Sequence, residues 1–83
     1  MDIRKKIGLR IKEYRTNLKL TQEALAFKAE IDKTYVNEVE NGKRNISVIN
    51  LEKLIGALET DITNFFNSPI FSDSIKQNAN SNN

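Results

Sequence analysis

The sequence predicts an all-α fold of five short helices, and three observations carry that prediction. Ile3, Ile7, Ile11, Tyr14 and Leu18 recur at steps of 4, 4, 3 and 4, the spacing of one helix face. A residue that caps helix N-termini (Asp2, Thr21, Asp32, Ser47 or Asp61) stands before each apolar-periodic stretch. No segment alternates apolar and polar residues over a useful length, as a half-buried strand would.

The first helix follows Asp2 and puts its apolar stripe inward, with Arg4, Lys5, Lys6, Arg10, Lys12 and Arg15 on its other sides. Thr21 caps a second helix, Gln22 to Ala29, which places Leu25, Ala26 and Ala29 on one side. Leu20 and Leu25 flank that cap as a hydrophobic staple. Asp32 caps a third helix, Lys33 to Asn41, and Gly42 closes it. Ser47 opens a fourth, Val48 to Leu58, with Leu51, Leu54, Ile55 and Leu58 on one stripe. Asp61 caps a short fifth helix, Ile62 to Phe66, which Pro69 stops. Residues 1–71 read as one domain. Residues 72–83 turn polar and Asn-rich, the composition of a disordered tail.

Composition narrows the chemistry. The 83 residues are 39% hydrophobic and 29% charged, the balance of an ordinary globular chain. With no Cys and no His there is no thiolate nucleophile, no disulfide, no imidazole base and no Cys/His zinc site. Asp and Glu are scattered as caps and surface charges, without the paired burial that acid–base work requires. An enzyme is therefore not expected, and no cofactor or metal is called for. No apolar run approaches the ~20 residues of a membrane helix, and Met1-Asp2 leads straight into charged helix, so the expected location is cytoplasmic. Net charge is only +2, but residues 1–44 hold 11 Lys/Arg against 7 Asp/Glu, while residues 45–83 hold 2 against 4. The first half is a candidate polyanion face; solvated helix surface would give the same excess.

The third helix is where the pattern departs from a bland surface. At ~100° per residue Val36 and Val39 fall together on the core side, with Tyr35 at the edge. Lys33, Thr34, Asn37 and Asn41 form a contiguous arc opposite. Thr and Asn are poor helix formers, and their side chains both donate and accept, as reading base edges in a major groove requires. Gly42-Lys43-Arg44-Asn45 follows, a basic loop suited to a phosphate strand. A plain helix stop with solvating charges fits this loop equally well.

The strings Thr21-Gln22-Glu23-Ala24-Leu25-Ala26, Ile31-Asp32-Lys33-Thr34-Tyr35-Val36 and Glu40-Asn41-Gly42-Lys43-Arg44 resemble the helix-turn-helix of the Cro and lambda-repressor-like superfamily. With the flanking helices the resemblance covers about residues 3–66. Asp32-Lys33-Thr34-Tyr35, with Glu40 and Arg44-Asn45, is similar to restriction–modification controller proteins, which are small dimeric regulators. The resemblance implies a lambda-repressor-like DNA-binding domain whose partner is double-stranded operator DNA. It implies that Gln22 bonds a phosphate and braces the recognition helix, and that Lys33, Thr34 and Asn37 face bases. Tyr35 would lie along the backbone or a deformable step, and Asn41, Lys43, Arg44 and Asn45 would hold phosphates. Two departures stand out: Glu30 occupies a turn position where many members carry Gly, and Lys33 stands where controllers often carry Arg.

Apolar residues remain after one small core is filled. Ile49 lies off the stripe of the fourth helix, and Ile62, Phe65, Phe66, Ile70 and Phe71 cluster after it. Leftover apolar surface on a small chain points to a two-fold dimer through Ile49, Ile62, Phe65 and Phe66. The competing account is that Phe65 and Phe66 lid the core. A dimeric transcriptional regulator, activating or repressing, is the expected function, and activation would add RNA polymerase as a partner, through Glu23, Glu30 or Glu38. The alternatives are a phage or chromosomal repressor, or an antitoxin-like interaction module.

Overall fold

A computed structural model describes residues 1–72. The tail expected from residue 72 onward lies, after Ser72, outside the described residues. The order is α1 (Ile3–Asn17), α2 (Gln22–Ala29), α3 (Lys33–Glu40), α4 (Val48–Ala57) and α5 (Ile62–Phe66), then a single 3₁₀ turn, Pro69–Phe71. There is no strand among the described residues. The 3₁₀ turn was not expected. Pro69 opens it rather than merely ending α5, because the fixed φ of proline suits the first helical position.

Local chemistry sets the helix starts. Asp2, Thr21, Asp32, Ser47 and Asp61 each accept a hydrogen bond from a backbone N–H one turn into the helix they open. Asp2 also holds the Arg4 guanidinium, Oδ2 to Nη2 at 3.0 Å. That side-chain bond lowers the Asp2 carboxyl from an ordinary 3.8 to about 2. The cap therefore contributes fully above its unfolded value and is lost as pH falls from about 4 towards 2.

The helix ends repeat one geometry. After α1, α2 and α4 the chain turns through left-handed Lys19, Glu30 and Glu59, with φ of 59°, 58° and 62°. The next residue in each case bonds back across the last turn, as Ile31 N does to Ala26 O at 2.9 Å. Only the end of α3 uses glycine, Gly42 at φ 72°. Glu30 thus adopts the conformation its place in the turn required, at about 1–2 kcal/mol for a side chain with a Cβ.

The core is Ile7, Ile11, Leu25, Ala26, Ala29, Val36, Val39, Leu54, Ile55, Ala57, Leu58 and Phe65. α1 packs on α3, α2 on α3 and α4, and the 3₁₀ turn returns to α1. Three expectations are corrected. Ile3 leads the first stripe yet is exposed, because the neighbouring elements do not reach the helix start. Lys6 is buried rather than on an open basic face. Phe65 is wholly buried, with Tyr14 stacked 6.1 Å away and Phe66 edge-on at 5.1 Å.

Gly8 fixes how close α1 comes to α3. A Cβ there would lie 2.4 Å from the Val39 carbonyl oxygen and 2.7 Å from that of Glu40, both backbone atoms that cannot swing away. Gly8→Ala should therefore push the two helices apart and cost about 1–3 kcal/mol, read as a lower melting temperature. Glu30→Gly should do the reverse. It relieves the left-handed side chain and removes a negative charge from a helix C-terminus, for a net gain of roughly 0.5–1 kcal/mol after the extra freedom of the unfolded chain. An unchanged or lower melting temperature for Glu30→Gly would contradict this account.

Candidate nucleic-acid interface

The third helix is anchored by one face and open on the other. Val36 and Val39 are buried, while Lys33, Thr34 and Asn37 are exposed side by side. Asp32 fixes the start of α3 by accepting from Thr34 N at 2.7 Å, so the first exposed side chains project from a pinned turn. Tyr35 sits half-buried at the edge. After Gly42, Lys43, Arg44 and Asn45 form an exposed loop. A Cβ on Gly42 would lie 3.1 Å from Lys5 Cα, so this turn runs directly against α1. Lys5 is thereby brought beside the basic loop, a neighbour that sequence spacing did not reveal because some forty positions separate them.

Behind the exposed arc lies a buried ion pair. Arg15 on α1 reaches Glu40 at the end of α3 through Nε to Oε2 at 2.6 Å and Nη2 to Oε1 at 3.0 Å. Its remaining nitrogen donates to Leu20 O at 2.8 Å. Glu40 is only 7% exposed. Gln22, at the start of α2, donates from Nε2 to Glu40 Oε1 at 3.0 Å and accepts on Oε1 from Asn37 Nδ2 at 3.1 Å. Asn41 Nδ2 donates to Asn37 O at 2.9 Å and approaches Asn37 Oδ1 at 3.3 Å. The geometry thus gathers Gln22, Asn37 and Asn41 into one network. It also corrects Asn41: the residue caps α3 rather than continuing it, and its amide nitrogen is already engaged by Asn37. Nothing in the spacing of Arg15 and Glu40, 25 residues apart, signalled their pairing.

Arg44 is held in place from two sides. Its Nε donates to Glu38 Oε1 at 2.9 Å, and its guanidinium carbon lies 4.8 Å from the centre of the Tyr35 ring. Both partners are on α3, so this cation is parked against the helix rather than swinging in solvent.

A second surface lies on the far side of the core. Val48, Leu51, Glu52, Ile55, Ile62 and Phe66 line an apolar groove of about 250 Å³ between α4 and α5. Ile49 beside it is 65% exposed, and Ile62 and Phe66 are 56% and 37% exposed. Phe65, grouped with them in the sequence, points the other way into the core.

Comparison with known proteins agrees with this arrangement. Residues 11–65 match the helix-turn-helix family model, and the chain belongs to that family. Within it, the relatives are restriction–modification controller proteins. The chain is 38% identical to Control protein C.MunI of a Mycoplasma species over 66 residues, 78% of this chain and 89% of that one. The crystal structure of the controller C.AhdI from Aeromonas hydrophila superposes with a TM-score of 0.73 at 43% identity, covering 76% of this chain and 96% of that one. The controller C.Esp1396I, solved as a tetramer with its natural 35-base-pair operator, superposes with a TM-score of 0.76 at 33% identity, covering 80% and 87%. The chain therefore falls with the controller proteins, a family of DNA-binding regulators and not of enzymes.

Glu38 competes with DNA for Arg44 and adds negative charge beside the loop. Glu38→Gln should release the cation and tighten binding to any duplex by up to about fivefold, as an exposed ion pair worth ~0.2–1 kcal/mol implies. Affinities for random-sequence duplex at two salt concentrations check this, and weaker binding would exclude a competing role for Glu38.

Proposed function

We propose that this chain is a sequence-specific transcriptional regulator that binds operator DNA as a dimer and controls a restriction–modification system. Residues 1–71 act as the combined DNA-binding and dimerisation unit, in the cytoplasm, where operator DNA is. The observation that carries the reading is α3: its valines are locked into the core while Lys33, Thr34 and Asn37 stand free on a rigid face. Such a helix can lie in a major groove and offer donors and acceptors to base edges. Lys43, Asn45 and Arg44, once released from Glu38, hold phosphates, and Tyr35 lies along the backbone with Arg44 stacked on it. Gln22 keeps one amide hydrogen for a phosphate beyond those used inside the protein. Asn41 meets the backbone only by exchanging its bond to Asn37.

The groove between α4 and α5, rimmed by Ile49, Ile62 and Phe66, supports two-fold pairing, since apolar surface of this kind is costly to leave in water. Pairing would set two recognition helices about one helical turn, ~34 Å, apart on the duplex. A contact with RNA polymerase has its own support. Glu23, Phe27 and Glu30 follow one another along the exposed side of α2, and Phe27 is fully in solvent. An aromatic ring between two carboxylates suits a basic partner surface and would make the regulator an activator. Concentration is the input: dimerisation and operator binding in series give a response steeper than a monomer's.

Thr34→Ala and Asn37→Ala should each lower the preference for operator over random duplex by ~1–3 kcal/mol. Lys43→Ala should weaken both duplexes alike and reduce the salt slope by about one. Titrations at several salt concentrations separate the two effects, and an Asn37→Ala chain that still discriminates fully would refute the groove assignment. Ile49→Asp with Ile62→Asp should leave a folded monomer by sedimentation, with operator affinity lost because two separate molecules must be placed. A wild-type chain that is monomeric while saturating its operator would rule out the dimer.

A further inference from the structure

The hydrogen bonds around the exposed face of α3 have a direction. Glu40, paired with Arg15, has no proton to donate, so the Gln22 atom 3.0 Å from its Oε1 must be the amide nitrogen. That places Gln22 Oε1 at the other end of the amide, where only a donor can meet it. The donor is Asn37 Nδ2 at 3.1 Å. Asn37 must then carry its Oδ1 on the opposite side, where Asn41 Nδ2 approaches at 3.3 Å. A buried carboxylate thus dictates, through two amides, which way round an exposed asparagine stands.

We infer that Glu40, acting through Gln22, is a positioning residue that locks the amide of Asn37 so that the chain selects adenine at the base pair Asn37 meets. This rests on the reading above that α3 lies in the major groove. With one amide hydrogen given to Gln22 and one oxygen lone pair turned to Asn41, Asn37 still has one N–H and one lone pair to offer. Adenine presents the matching pair, N7 as acceptor and the N6 amino group as donor. Guanine presents two acceptors, N7 and O6, and would face the locked oxygen with another oxygen. An unlocked asparagine could exchange its two ends to suit either edge. The lock removes that freedom before DNA arrives, so the choice of base is made by a residue that never touches it.

The test scans every base pair of an operator half-site and compares wild type, Asn37→Ala, Gln22→Leu and Glu40→Gln. The position whose preference disappears in Asn37→Ala is the one Asn37 reads, and wild type should favour adenine there by about 5- to 150-fold. Gln22→Leu keeps the Arg15–Glu40 pair but cuts the link. It should erase the adenine preference at that position while leaving the other positions and random-duplex affinity unchanged. Glu40→Gln replaces a pure acceptor with a group that can also donate, so both amides can turn, and the same position should become permissive. If Glu40→Gln melts too low to assay, Gln22→Leu alone decides. A folded Gln22→Leu chain that keeps its full adenine preference overturns the inference. So does one that weakens all positions equally, which would mark Gln22 as a structural brace. A base other than adenine at the Asn37 position also overturns it while leaving the groove reading intact. Loss of no base preference in Asn37→Ala would instead remove the groove reading itself.

Discussion

The close crossing of α1 over the end of α3 governs this molecule. Gly8 lets the two backbones approach until the carbonyls of Val39 and Glu40 fill the space a side chain would need. At that distance Arg15 can close on Glu40 with two hydrogen bonds and still reach Leu20 O. A pair buried this deeply gives little net stability, because desolvation offsets most of the attraction. Its effect is on geometry. Leu20 lies before α2 and Glu40 ends α3, so one guanidinium ties α1 to both helices of the turn. The angle at which α3 leaves the body follows from that tie, and so do Gln22 and Asn37.

Much of the fold was legible because local chemistry set it. Every helix start coincides with a short polar residue accepting a backbone N–H, an interaction within three residues and so visible in sequence. The outward arc of α3 follows from Val36 and Val39 alone. The rest depended on tertiary placement. Ile3 obeys the helical period but meets nothing, and Lys6 disobeys it yet is covered. Phe65 and Phe66 are adjacent and equally apolar, and on a helix adjacent residues point about 100° apart. The phase that turns Phe65 inward depends on where α1 lies, which no local pattern encodes. Asn41 looked like surface because its partner is a side chain one turn back.

The same limit applies to the charge excess of the first half. Several of its cations are already spoken for. Arg15 is buried on Glu40, Arg4 is on Asp2, Lys28 is on Glu59 at 2.7 Å, and Arg44 is on Glu38. Arg10 pairs with Glu13 and lies 4.5 Å over the Tyr14 ring. A count of Lys and Arg therefore overstates the basic surface. The interface is defined less by the amount of charge than by Lys5, Lys33 and Lys43 lying near one helix end.

Arg10 has a further role. Its Nε donates to Phe65 O at 2.7 Å and its Nη2 to Asn64 O at 2.8 Å, the last carbonyls of α5. The helix beside the apolar groove is thus bolted to α1, which is itself bolted to α3. No hinge separates the surface suited to pairing from the surface suited to DNA. Two copies joined through that groove would form a calliper of fixed span. A duplex whose half-sites fall slightly out of step could then be accommodated only by bending or twisting the DNA. The stiffness of the untouched base pairs between the half-sites would then enter the choice of site.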